Sequence, residues 1–349
     1  MVGPLGYNSC PHASANCNGG IDMNGARWTT AFVLLALGPI GTAEEPDAAQ
    51  YPSANIANER VRMTVYLPDA ENGFYRGARF DWSGVIASAV YRGHEYFGPW
   101  REEHDPMRHD SITGPVEGYI APGLGYEEAR PGEAFLRIGI GALERVAEEG
   151  YHFRNQYKFL NHGRWTVEQG GDWISFRHEI GTDLGYAYRY YKTLRLKEDG
   201  FVIEHRLDNT GRKPINTDQF NHNFLVIDGT LTGAGFSVEF PFAPTTGNDL
   251  RDRAVIDGNM IRLTRSHAEQ GVRLELQGYS DRIGDHKMTV RNRNTGAGVT
   301  IEVDQPLTGL VFWTNRKTLS PENFIQISAA PGESVAWTSS YTFFVDQVD

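Results

Sequence analysis

The chain has 349 residues, with 33 Lys and Arg against 44 Asp and Glu, for a formal net charge of −11 at pH 7. That balance argues against a nucleic-acid partner, whose phosphates demand clustered Lys and Arg. It also disfavours a strongly anionic polysaccharide, unless basic residues concentrate in the site. The length allows one large core or two domains, and no linker divides the chain.

Residues 23–43 hold one base, Arg27, and no acid, followed by the apolar run Thr30 to Leu37 and then Gly-Pro-Ile-Gly-Thr-Ala43. A basic start, an apolar middle and small residues before Glu44 are the layout of a secretory signal peptide. On this reading residues 1–43 are an upstream extension and signal peptide, with a start at Met23 and cleavage after Ala43. The mature chain, 44–349, is a single domain that is secreted or periplasmic. Both cysteines, Cys10 and Cys17, fall in the part removed. The apolar run is shorter than the roughly 20 residues a membrane helix needs, and no other stretch approaches that length, so no membrane span is expected.

In Phe74-Tyr-Arg-Gly-Ala-Arg-Phe-Asp-Trp82, strand alternation predicts Arg79 and Asp81 on one face and Phe80 and Trp82 on the other. Arg76 and Arg79 offer planar forks for vicinal hydroxyls or a carboxylate, and aromatic rings stack on the apolar face of a pyranose. Arg76, Arg79, Asp81 and Trp82 are therefore candidate sugar contacts. The next cluster, Glu103-His-Asp-Pro-Met-Arg-His-Asp110, carries good metal ligands. Its spacing matches no strict metal motif and Pro106 prevents a helix that would align the imidazoles. The better reading is a loop over the sugar, with His104 or His109 donating hydrogen bonds and no metal.

Residues 141–150 are the best helical candidate, and a short one. Elsewhere, Gly and Asn/Asp-Gly turns separate short β-branched and aromatic runs: Trp173 to His178, Tyr186 to Tyr190, Phe201 to Leu207, Leu307 to Thr314 and Ser334 to Val345. Many strands, tight turns and no βα alternation predict a large all-β sandwich. Tyr186, Tyr188 and Tyr190 share one strand face. Tyr188 is a candidate sugar contact. With Tyr157 and Lys158, that row also offers bases for β-elimination on a uronate.

After the polar turn that follows Leu207, Phe220-Asn-His-Asn-Phe224 delivers His222 between aromatic neighbours. The run Tyr191 to Gly211, the Phe220 to Phe224 motif, the opening Gly77 to Ser88 with Tyr91-Arg-Gly-His94, and the closing Ile327 to Trp337 with its Pro-Gly-Glu turn occur in an order that resembles the galactose mutarotase (aldose 1-epimerase) superfamily. The resemblance covers residues 60 to 345. It implies an all-β, antiparallel β-supersandwich that binds a mono- or oligosaccharide without a cofactor.

It also implies that His222, flanked by Asn221 and Asn223, is the general acid on the ring oxygen. Histidine suits that work because its ordinary pKa lies near neutrality. The glutamate base that the superfamily pattern places before the closing strands is missing from Gly309 to Lys317. The nearest carboxylate is Glu322, which could reach the site from a shifted loop. The functions implied are an aldose epimerase-like isomerase, a polysaccharide lyase or other glycan-cleaving enzyme on the same fold, or a carbohydrate-binding protein without catalysis.

Overall fold

Among the described residues, short apolar runs cut by glycine turns become 22 strands and two short 3-10 turns. The structure, a computed structural model, describes residues 50–146, 150–265 and 271–347. The expectations for residues 1–43, including the start at Met23, the cleavage after Ala43 and the two cysteines, lie outside the described residues. Among the described residues no helix is long and apolar enough to cross a membrane.

The chain opens with a four-stranded sheet, β1 (Ser53–Ala57), β2 (Val61–Tyr66), β3 (Val85–Tyr91) and β4 (His94–Glu95). The β3–β4 hairpin turns on Arg92 and Gly93, whose φ values of 50° and 85° give the two left-handed residues that match strand twist in a two-residue loop. Next come β5 (Val116–Tyr119) and a three-stranded sheet of β6 (Ala134–Arg137), β7 (Gly141–Glu144) and β8 (Phe159–Asn161). The predicted helix over 141–150 begins instead as a strand: Gly141 to Glu144 pairs with β6, so sheet hydrogen bonding overrides local helix propensity.

A long meander follows, β9 (Arg164–Gln169), β10 (Trp173–Gly181), β11 (Ala187–Lys197) and β12 (Gly200–Asn209), and leads to β13 (Ile215–His222). The remaining strands are β14 (Phe236–Glu239), β15 (Ala254–Asp257), β16 (Met260–Leu263), β17 (Arg273–Glu275), β18 (Lys287–Asn292) and β19 (Ala297–Val303). Last come β20 (Leu307–Thr314), β21 (Leu319–Ala329) and β22 (Ser334–Val345).

Two antiparallel sheets form the sandwich. The large one has ten strands in the order β15-β16-β14-β18-β19-β22-β12-β11-β10-β9, and the small one has five, β17-β20-β21-β13-β5. Between them Phe176, Leu194, Phe201, Ile203 and Phe343 of the large sheet share a core with Leu274, Leu310 and Phe312 of the small one. Burying each such side chain contributes about 1.5–3 kcal/mol. The tyrosine row belongs here in part: Tyr188 and Tyr190 are core residues beside Leu207, Ile327 and Trp337.

A charged cluster crosses this interior. Glu117 on β5 accepts hydrogen bonds from Lys192 Nζ on β11, and from His205 Nε2 on β12 and Asn221 Nδ2 on β13, each of the latter at 3.0 Å. Lys192 also donates to the Ser83 carbonyl at 2.7 Å and stands 3.6 Å from Asp81. Burial pushes Glu117 up, but Lys192 and His205 outweigh it and hold the carboxylate below its usual pKa. Burial raises Asp81 to about 6, against the pull of Lys192.

The opening segment departs from the strand alternation expected of it. Residues 77–84 run as an irregular chain, touching the small sheet through a bridge from Phe80 to Gly118 and a hydrogen bond from Asp81 N to the Glu117 carbonyl, and the β6–β7 turn through a hydrogen bond from Trp82 N to the Gly139 carbonyl. Arg79 and Asp81 consequently point to different places.

Candidate functional site

The outer face of the small sheet carries the site. Phe220 of β13 lies opposite Phe324 of β21, and their rings stack with centroids 4.6 Å apart. Two residues further along each antiparallel strand, on the same face, stand His222 and Glu322. Their side chains meet, with His222 Nε2 3.2 Å from Glu322 Oε1, and are 6% and 8% exposed. Glu322 thus reaches His222 from a strand, not from the shifted loop expected for it.

Aromatic rings wall in the imidazole. Immediately after β13, Phe224 takes φ 40°, a left-handed backbone that costs a bulky residue of order 1 kcal/mol. That bend lays its ring flat on His222, with centroids 3.6 Å apart and planes within 6°. Phe80 and Trp313 meet the imidazole edge-on at 5.7 Å and 5.1 Å. His222 Nδ1 is buried without a hydrogen-bond partner among the described residues.

Electrostatics follow from this enclosure. Burial, helped by the nearby Arg79 charge, drives His222 well below its ordinary pKa. Burial raises Glu322 to about 8, although Arg79 and Arg273 pull it down. At neutral pH the pair is a neutral imidazole facing a protonated carboxyl, an arrangement that offers one proton donor and one acceptor side by side.

Arg79 approaches from the irregular segment. Its guanidinium lies 4.5 Å from the ring centroids of both Phe80 and Phe153, and burial lowers its pKa. Its backbone is fixed: the amides of Arg79 and Phe80 both donate to Tyr75 Oη at 3.4 Å, and Arg137 Nη2 donates to the Arg79 carbonyl at 3.1 Å. The Tyr75 hydroxyl in turn donates to the His109 carbonyl at 3.1 Å, tying this segment to the 101–112 loop.

A cleft of about 440 Å³ opens beside the pair, lined by Trp100, Arg101, Asp110, Arg251, Arg273 and Trp313 among others. Trp313 joins the two, since it walls the cleft and abuts His222. The β17–β20 register explains the wall: Arg273 lies directly opposite Trp313, so both side chains leave the same face. A volume of this order suits a small ligand, and an exposed indole face suits a sugar ring.

The residues read from the sequence as sugar contacts separate into two groups. His222, Glu322, Arg79 and His109 converge. His109 is 3.4 Å from Asp110, stands edge-on to Phe153, and is lowered to about 4 by burial and the neighbouring arginines.

The others are turned away from the cleft. Asp81 accepts from Ser83 N at 2.9 Å and from Tyr190 Oη at 3.2 Å inside the charged cluster. Trp82 is 2% exposed and donates to the Gly77 carbonyl. Asn221 bonds Glu117, and Asn223 accepts from Tyr341 Oη at 2.8 Å and donates to the Pro321 carbonyl, because alternation sends both to the face opposite His222.

Tyr188 donates to the Arg137 carbonyl in the core. Arg76 donates to the Glu71 carbonyl. His104 stacks on Phe74, with Nε2 2.8 Å from the Phe74 carbonyl and Nδ1 2.9 Å from Ser111 Oγ, so it braces the loop. The residues considered for β-elimination are also elsewhere: Tyr157 packs against Phe135 and Leu143, and Lys158 pairs with Glu144. Sequence reasoning missed Trp313, Arg273 and Arg251; the signal for the first two was the alternation of Leu307 to Thr314 and its pairing with β17.

No protein-family model and no curated protein matches this chain by sequence. Its structure is similar to solved ones. A galactose mutarotase-like protein from Clostridium acetobutylicum aligns with TM-score 0.56 at 10% identity, over 86% of this chain and 97% of that one. An aldose epimerase homologue from C. elegans aligns with TM-score 0.51 at 12% identity, over 84% and 99%. A galactose mutarotase-like protein from Lactobacillus casei aligns with TM-score 0.50 at 12% identity, over 84% and 100%. The chain has the galactose mutarotase-like fold.

Proposed function

We propose that this protein binds a sugar in the Trp313 cleft and equilibrates its anomers by acid–base catalysis. The observation that carries the reading is the His222–Glu322 pair, an acid and a base 3.2 Å apart behind Trp313, the residue that walls the cleft. The ring oxygen and the anomeric hydroxyl of a hemiacetal share one carbon, so two groups this close are spaced to serve both.

The resemblance assigns the acid role to His222. The shifts of the buried pair favour the opposite resting assignment, with Glu322 protonated and His222 neutral. In the proposed step Glu322 gives its proton to the ring oxygen as the bond from that oxygen to the anomeric carbon breaks. His222 takes the proton of the anomeric hydroxyl, whose electrons form the aldehyde carbonyl. Rotation about the adjacent carbon–carbon bond and the reverse transfers close the other anomer, restoring both groups. The Arg79 charge favours the carboxylate that forms in between. The leader-like residues 23–43 support an exported protein that meets its sugar outside the cytoplasm.

Polarimetry on freshly dissolved α-glucose and α-galactose tests this. Wild type should speed equilibration above the buffer rate, and E322Q and H222N should each lose about 10²- to 10⁴-fold of that acceleration. No acceleration by wild type with any aldose, or full activity in either variant, rejects the reading.

A further inference from the structure

The charge of the cleft runs against the charge of the chain. In a protein of net charge −11, the cleft is bordered by Arg101, Arg251 and Arg273, with only Asp110 and Asp249 as acids. Asp110 is already engaged by Arg101 and by Arg108, the latter at 3.3 Å. Asp249 accepts from the Arg251 backbone amide at 2.8 Å, leaving that guanidinium without an ion-pair partner among the described residues.

Arg273 meets Glu275 at 2.6 Å, but both side chains are more than half exposed. Such a solvated pair is weak and yields readily to a better-placed anion. Arg79, close behind, likewise has no carboxylate at ion-pair distance among the described residues, only the Phe80 and Phe153 rings. A second cleft of about 450 Å³ shares Trp100, Arg101 and Asn315 with the first and sets Arg108, Arg316 and Lys317 against Glu102 and Glu103, with Lys317 3.8 Å from Glu102. Guanidinium forks in a recess recognise planar or tetrahedral oxyanions bidentately.

We propose that the sugar this cleft takes is anionic, and that its carboxylate or phosphate is received by Arg251 and Arg273 while the ring lies on Trp313. The inference rests on the sugar reading above and narrows it to a substrate class. The net charge of −11 repels large polyanions from the chain as a whole, so the local positive charge of the cleft favours a small anionic sugar.

Calorimetric titration of the full chain at low salt tests this, comparing glucose and galactose with glucuronate, galacturonate and glucose 6-phosphate. At least one anionic sugar should bind about tenfold or more tightly than its neutral parent, with an advantage that shrinks as salt is added. The uronate and phosphate arms tell which oxyanion is meant. An R251Q/R273Q double variant, with its near-ultraviolet circular dichroism unchanged, should bring the ratio of anionic to neutral affinity toward one.

Equal or better binding of the neutral sugars, no binding of any anionic sugar, or an unchanged ratio in the folded double variant overturns the proposal. Because binding is the readout, tight uronate or phosphosugar binding without anomer exchange would sink the catalytic reading and leave this one standing. Anomer exchange with no anionic preference would do the reverse.

Discussion

Glu322 keeps its proton to about pH 8 because it is enclosed by the small sheet and its aromatic cover. Its pKa in the folded chain is raised above the ordinary carboxyl value of 4.5, so the folded state binds this proton more tightly than the unfolded state. The contribution to stability is therefore fully present below about pH 4.5 and is lost as pH rises to about 8, at about 1.4 kcal/mol per pKa unit. Scanning calorimetry should show the wild-type melting temperature falling relative to that of E322Q across this window and running parallel to it above. Parallel curves throughout would mean the carboxyl is not buried in solution. Catalysis should likewise fall as pH passes about 8, where the resting acid is spent.

At this scale the sequence singles out His222 by its aromatic flanks and Arg79 by its guanidinium beside Phe80 and Trp82, and the structure brings the two near one another. Glu322 was seen but misplaced, because one sequence does not say which strands pair. Asp81 was misread because residues 77–84 lack the regular pleat that alternation assumes.

The elements that aim His222 are held from behind. Glu117, Lys192, His205 and Asn221 belong to β5, β11, β12 and β13, so one buried cluster fastens three strands, drawn from both sheets, to the strand that carries the imidazole. Removing the cation leaves Glu117 and Asp81 buried without the ammonium between them, only their hydrogen bonds to His205, Asn221, Ser83 and Tyr190 remaining, and breaking a buried pair in this way typically costs about 3–5 kcal/mol. K192M should therefore lower the unfolding free energy obtained from urea denaturation by that amount, as followed by tryptophan fluorescence. A loss under about 1 kcal/mol would show that the cluster is hydrated and weak.

Strands were the most readable elements. Leu307–Thr314 and Ser334–Val345 appear with the bounds expected of them, since β-branched and aromatic runs between turn residues leave little choice. Gly141–Glu144 was not readable as a strand, because Ala, Leu, Glu and Arg favour helices until a neighbouring strand claims them. The cluster itself was invisible: its members are spread from residue 81 to residue 221, and only the topology brings them together.

For the whole molecule, the decisive strand is the last one. β22 lies between β12 and β19, so the half of the large sheet built from β9 to β12 meets the half built from β14 to β19 only through it. It also supplies Trp337, Tyr341 and Phe343 to the core. A chain ending at residue 333 would expose two unpaired sheet edges and the apolar faces beside them, which invites aggregation. We expect it to be recovered insoluble, or to show no cooperative thermal transition by circular dichroism. A soluble, cooperatively melting product would show that the halves hold without their seam. The all-β class was evident from composition and turn spacing, whereas this strand order, being a matter of long-range pairing, was not.

That seam also sets a clock. During synthesis the β9–β12 meander is complete at residue 209, yet its partner strand does not begin until residue 334. At about 5–20 residues per second, the edge of β12 waits on the order of ten seconds for closure. For that interval the nascent protein has a half-built sheet and no groove. A cell must hold the chain extended or guarded until its final strand arrives, and a polypeptide that cannot close early is one that can still be threaded.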